Sequence, residues 1–176
     1  MKRYIKSAIL PLSDDEYATQ QELASDPNTP IDILWELAEI EDSHVIPVQS
    51  CLAKNPSTPP ELLRELASVN KLDVRSQVAR NLNTPSDVLE ALYFTYDEWN
   101  NRAPMEILTG LAGNPNTPVD ILEHMLDDLD EFEYWQVARH LAKNPSTPVE
   151  ILQKLTKDDD EEIWSNAQEN LANRQR

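Results

Sequence analysis

One short phrase recurs along this chain, and it restricts the fold more than anything else in the sequence. Asn55-Pro56-Ser57-Thr58-Pro59, Asn114-Pro115-Asn116-Thr117-Pro118 and Asn144-Pro145-Ser146-Thr147-Pro148 carry it in full. Asp26-Pro27-Asn28-Thr29-Pro30 and Asn81-Leu82-Asn83-Thr84-Pro85 are near copies. The threonines are spaced 29, 26, 33 and 30 residues apart. Self-similarity at such a period marks units that cannot bury their apolar faces alone and must stack.

Each threonine reads as a helix N-cap, followed by proline at the first helical position and an acid two residues further on, as in Thr58-Pro59-Pro60-Glu61. An apolar pair and a third apolar residue follow: Leu62, Leu63 and Leu66, or Ile151, Leu152 and Leu155. That spacing lays one stripe along a first helix of about three turns. A second helix precedes each phrase, with Val48, Leu52 and Ala53, Val78 and Ala79, Leu111 and Ala112, or Leu141 and Ala142 before the asparagine. The proline that usually follows pushes the asparagine out of the α region and ends this helix. The predicted core is Leu52, Leu63, Leu66, Val78, Leu89, Leu92, Leu111, Leu122, Leu141 and Leu152.

A further helix of the second type is predicted from Ser13 to about Ala24, and a last one from about Asp160 to Ala172. The unit after Thr84 carries an insertion around Tyr93 to Pro104. Residues 1–12 belong to no repeat, and residues 13–176 read as one all-α repeat domain of about five to six two-helix units. Trp35 stands where other units hold Arg64, Glu90, Glu123 and Gln153. Either residues 1–12 fold over the first unit and shield it, or the indole is an aromatic contact for a partner.

Composition narrows the function classes. The net charge of −17 disfavours nucleic acid, whose phosphates need a basic footprint, and disfavours anionic lipid. No apolar run approaches the ~20 residues that span a bilayer. The basic start Met1-Lys2-Arg3 leads into an apolar stretch too short for a signal-peptide core. One cysteine, Cys51, allows no internal disulfide framework, in keeping with a cytoplasmic protein.

The phrase Val78-Ala79-Arg80-Asn81, the Asn-Pro-x-Thr-Pro segments, Leu62 to Ala67 and Asp73-Val74-Arg75 resemble the leucine-rich repeat variant family, over roughly residues 20–172. The resemblance implies a right-handed superhelical solenoid related to HEAT and armadillo repeats, built of alternating α and 3₁₀ helices. The family repeat is shorter and more regular, so whether the second helices here are α or 3₁₀ stays open. Some relatives place an iron–sulfur centre on an N-terminal cysteine cluster, for which Cys51 alone supplies no ligand set. The resemblance implies a binding scaffold and brings no catalytic residues.

Two surfaces are candidates for a partner. Lys54, Arg80 and Lys143 fall in one outward column of the second helices, with Arg75, Arg139 and His140 in neighbouring columns. They read as an anion- or carboxylate-binding patch, or as plain charge complementing helix C-termini. Acidic clusters recur between first and second helices: Glu39, Glu41 and Asp42; Asp127 to Glu133; and Asp158 to Glu162. They read as a dock for a basic partner or loose divalent cations, or as a solvated edge. His44, His124 and His140 sit at different registers and form no metal set, and no catalytic, cofactor or metal site is expected. The sequence thus points to a non-enzymatic scaffold for a protein or peptide. The alternative is an enzyme, or a lyase or chaperone subunit, on a HEAT-like solenoid.

Overall fold

The structure is a computed structural model that describes residues 14–40, 48–95, 103–127 and 129–174. Residues 1–12, expected to cap the first unit, lie outside this set, as do Ser13, Glu41, Asp42, His44 and Asp128. Among the described residues all regular structure is helical, in eleven α-helices. The chain divides into two compact units, Met1–Asn83 and Thr84–Arg176.

In the first unit α1 (Asp14–Ser25), α3 (Val48–Lys54) and α5 (Leu72–Arg80) stack side by side. The first helices α2 (Ile31–Ala38) and α4 (Pro60–Ala67) pack along that row. The second unit repeats the scheme with α7 (Met105–Gly113), α9 (Glu131–Lys143) and α11 (Glu161–Asn173) as the row. Its first helices are α6 (Ser86–Tyr93), α8 (Val119–His124) and α10 (Val149–Leu155). This is the all-α repeat that the phrases predict, and the second helices are α rather than 3₁₀. The first helices run 6–8 residues, about two turns rather than three. They end soon after the third apolar residue, where the chain must turn back. All ten predicted core residues are buried, each 2% exposed or less. The insertion before α7 runs from Phe94 to Pro104, of which residues 96–102 are outside the described set.

The threonines do not cap the helices that follow them. Proline holds the N-cap of every first helix, at φ −52 to −70° and ψ 140 to 152°, and no side chain bonds the first-turn amides. The threonine Oγ1 instead donates backwards to the last turn of the preceding helix. Thr29 reaches Leu23 O at 2.6 Å, Thr58 reaches Leu52 O at 2.6 Å, and Thr117 and Thr147 reach Leu111 O and Leu141 O at 2.7 Å. The hydroxyls sit in corners closed to solvent, with Thr58, Thr84 and Thr147 at 0% exposure. Leu52 O, Leu111 O and Leu141 O also accept the amide of the asparagine that follows, at 3.1–3.2 Å, so the hydroxyl serves the second lone pair of a carbonyl that water does not reach. Thr58→Val, which keeps the shape and loses the donor, should therefore cost about 1–3 kcal/mol in urea unfolding. Thr58→Asp, a good N-cap that cannot donate, should cost more than valine; a stable aspartate variant would restore the N-cap assignment.

The asparagines bind one repeat to the next. Asn55 donates through Nδ2 to Ala24 O and Asp26 O, both at 2.9 Å, and its Oδ1 accepts from the Ser57 amide at 2.9 Å. Asn81 repeats this on Ala53 O and Asn55 O at 2.8 and 3.0 Å. In the second unit Asn144 bonds Ala112 O and Asn114 O, and Asn170 bonds Ala142 O and Asn144 O, all at 2.8–3.0 Å. Beside this ladder runs a second one. Ser57 Oγ donates to Pro27 O, Asn83 Nδ2 to Pro56 O, Ser146 Oγ to Pro115 O and an Arg174 guanidinium nitrogen to Pro145 O, each at 2.6 Å. The asparagine backbone is extended, at φ −71 to −88° and ψ 120 to 126°, even at Asn81, where leucine follows instead of proline. The side chain's own bonds therefore hold the corner as well as the proline does.

Candidate partner-binding surface

The candidate cations fall into two groups, one in each unit. In the first, Lys54 and Arg80 close the last turns of α3 and α5 and are exposed, while Arg75 is half-buried. One Arg80 guanidinium nitrogen donates to Ser76 O at 3.0 Å, anchoring the side chain to its own helix. The Arg75 Nε is sealed from solvent and meets no acceptor. The position before each ladder asparagine is outward and exposed, and it holds Lys54, Arg80, Gly113, Lys143 and Glu169 in successive repeats.

In the second unit, Arg139 and Lys143 are tied to α11. One Arg139 nitrogen lies 2.9 Å from Glu162 Oε2, another 3.4 Å from Asp160 Oδ2, and Lys143 Nζ lies 2.8 Å from Glu162 Oε1. The Arg139 guanidinium also stacks 3.6 Å above the centre of the Trp135 ring, whose Nε1 donates to Asp160 Oδ2 at 2.6 Å. A stacked guanidinium presents its face to the ring, and here its Nε is left without an acceptor. His140, one turn before the end of α9, is exposed, with its Nδ1 3.7 Å from where a Cβ on Gly113 would stand. Charge on Arg139 and Lys143 is thus offset within the chain, which the sequence columns did not reveal.

The acidic clusters have structural work at the second helices. Asp130 and Glu133 form a capping box: Asp130 Oδ1 accepts the Glu133 amide at 2.9 Å, and Glu133 Oε2 accepts the Asp130 amide at 3.2 Å. Asp160 Oδ1 accepts the Glu162 and Ile163 amides at 2.9 and 3.2 Å and so caps α11. The Trp135 hydrogen bond, with those amides and Arg139, holds the Asp160 carboxyl below its ordinary value of 3.8. The Lys143 hydrogen bond does the same for Glu162. Both groups are lower in the folded state, so what they add is present above the carboxylate range and is lost as pH falls. Among the described residues no cluster of His, Cys, Asp and Glu could hold a metal ion, and Cys51 is a buried free thiol.

Tyr134 ties α9 to the segment that leads into α11, its hydroxyl donating to Asp158 Oδ2 at 2.9 Å. Burial, then that bond and the carboxylate's charge, push the phenol up to about 12. The folded value exceeds the unfolded value of 10.0, so its contribution is complete below pH 10 and disappears as pH rises towards 12. Following phenolate absorbance, one of the five tyrosines should ionise last, near that value. The late step should vanish in Tyr134→Phe; its persistence there would assign it to another tyrosine.

The sequence reading missed Asn170, because no Pro-x-Thr-Pro follows it; a fixed alanine two residues before an asparagine does not mark it either, since Gln168 stands there. It also passed over Phe132 and Trp135, exposed by 70% and 38% on the N-terminal half of α9.

No curated protein matches the chain. Two crystal structures of engineered proteins, Northeast Structural Genomics Consortium targets OR497 and OR329, are each 21% identical to it. The first has a TM-score of 0.43 over 92% of this chain and 54% of its own, so this chain spans about half its length. The second has a TM-score of 0.44 over 90% of this chain and 88% of its own. The family model of the Leucine Rich Repeat Variant domain matches residues 18–82, less than the resemblance over 20–172 suggested. Those residues hold most of α1, all of α2 to α5 and the rungs at Asp26, Asn55 and Asn81. Over residues 18–82 the chain is therefore similar to the Leucine Rich Repeat Variant domain.

Proposed function

We propose that the chain is a non-enzymatic, cytoplasmic scaffold that binds a protein or peptide through the outward residues of its second helices. The observation that carries this reading is the contrast between adjacent positions. The asparagine of each rung is buried, and Asn55, Asn81, Asn144 and Asn170 each donate to two carbonyls of the repeat before, while the exposed residue just before it changes from Lys54 and Arg80 to Gly113, Lys143 and Glu169. A framework that is held from within leaves its outward positions free to be set by a partner. Asp130, Asp158, Asp160, Glu162 and Tyr134, which elsewhere serve as acids and bases, are here engaged in caps and helix-to-helix bonds. In the first unit Lys54, Arg75 and Arg80 are the residues proposed to meet an acidic or carboxylate group of the partner.

Capture with the tagged chain from its native cells, alongside a Lys54→Glu/Arg80→Glu variant, tests this. A protein recovered at fixed stoichiometry with the parent chain and lost with the variant is the expected result. Failure to recover any such protein counts against the scaffold, and equal recovery by the variant counts against the basic column.

A further inference from the structure

The free face of α9 carries a second surface of opposite character. Val137, Ala138, Leu141 and Ala142 are buried against the neighbouring helices, and Tyr134 turns to Asp158. Phe132 lies away from them, with Trp135, three residues on and held by Asp160 and Arg139, at its border. Phe132 is 70% exposed, the most of any large apolar residue among those described. α9 is 13 residues long against 9 in α7, so this aromatic pair stands at or beyond the start of α7 when the two are aligned on their ladder asparagines.

Two acidic segments border that face. Residues 127–133 contain five acids and residues 158–162 contain five more, out of 32 in the chain. The Trp135–Asp160 and Tyr134–Asp158 bonds draw the start of α11 alongside the start of α9, bringing the segments together. Of the cations nearby, Arg139 and Lys143 are offset by Asp160 and Glu162, and Lys157, exposed just before Asp158, stands against five acids. Phe132 and the exposed Asp127, Glu131, Asp159 and Glu161 of the two segments thus face solvent.

Resting on the scaffold reading, we infer that this face of α9 docks a cationic segment of a partner protein, with an apolar side chain set between lysines or arginines. The charge fixes the occupant. An acidic segment, or a second copy of a chain with net charge −17, would be repelled, whereas a basic one is steered in. The apolar residue covers Phe132, and its basic neighbours reach Glu131 on one side and Glu161 on the other. An exposed ring that gains cover this way is the usual anchor of a small interface. The internal Arg139–Trp135 stack shows how a guanidinium sits in these surroundings, on an aromatic face with carboxylates around its rim.

The test uses the full chain and fluorescein-labelled peptides of repeated Lys-Lys-Leu-Leu, of Lys-Lys-Ser-Ser and of Glu-Glu-Leu-Leu, read by anisotropy. The Lys-Leu peptide should bind, with affinity falling as salt is raised, and at least about tenfold more tightly than either of the others. Phe132→Ser should weaken it by about tenfold, and Glu131→Lys/Glu161→Lys should weaken it as much while flattening the salt dependence. Each variant is checked for an unchanged urea midpoint, which the exposure of these three positions allows. Equal binding of the Lys-Ser peptide, full binding by Phe132→Ser, or no binding of the Lys-Leu peptide overturns the inference. None of these results touches the scaffold reading, which stands on capture of a native partner.

Discussion

Asn144→Ala should lower stability by about 3–4 kcal/mol, among the largest effects of any single polar substitution in this chain. The side chain is 1% exposed and makes bonds of 2.8 and 3.0 Å from Nδ2 and 2.8 Å to Oδ1. A net hydrogen bond contributes only about 1 kcal/mol, but its removal here strands Ala112 O and the Ser146 amide and leaves Asn114 O with the Thr117 amide alone. Asn144→Asp sharpens the test. It keeps the shape and the acceptor for Ser146 but points carboxylate oxygen at two carbonyls, so at neutral pH it should be at least as unstable as alanine. Burial and those carbonyls raise the carboxyl's folded value above its unfolded one, so its deficit against the parent chain should shrink as pH falls. Urea midpoints across pH measure this, and an aspartate variant equal to the parent at neutral pH would show that the Nδ2 bonds carry no weight.

Leu122→Ala and Leu63→Ala should each cost about 2–5 kcal/mol, from lost transfer energy plus the cavity left behind. Both side chains are 0% exposed on two-turn helices whose apolar stripe is nearly all they contribute to the fold. Val119, three residues before Leu122 and 52% exposed, is the matched control, and Val119→Ala should change stability by less than about 0.5 kcal/mol. A loss below that figure for either leucine refutes the assignment of the repeat register.

The helices and the core were legible because burial follows spacing, and spacing is visible within a few residues. Leu62, Leu63 and Leu66 lie on one stripe whatever the rest of the chain does. The threonines were misread because Thr-Pro-x-acid satisfies a capping rule that looks forward, while the hydroxyl is used six residues back. The true capping box, Asp130 to Glu133, lies in a run of acids where its pattern does not stand out. The asparagine ladder was out of reach for another reason. Its partners are 26 to 32 residues away, so only the recurrence of asparagine two places after alanine hinted at a shared duty. At the candidate surface, the column that placed Lys143 beside Lys54 and Arg80 was sound as a register. It carried no information on Glu162, which comes from the following repeat and takes up the charge.

The ladder also has a direction. Every side-chain donor belongs to the later repeat and every acceptor is a backbone carbonyl of the earlier one, as Asn55 shows on Ala24 and Asp26. Asp26, at the first rung of its unit, has a carboxylate where the others have an amide and spends it on the Asn28 amide at 2.9 Å. A ribosome releases the N-terminal part of a chain first. Each repeat that emerges therefore finds its acceptors already in place and leaves behind only carbonyls, which water can serve until the next repeat arrives. The order of synthesis and the order of bond formation coincide, so within each unit no nascent repeat has to wait with an unpaired amide for a partner still to be translated.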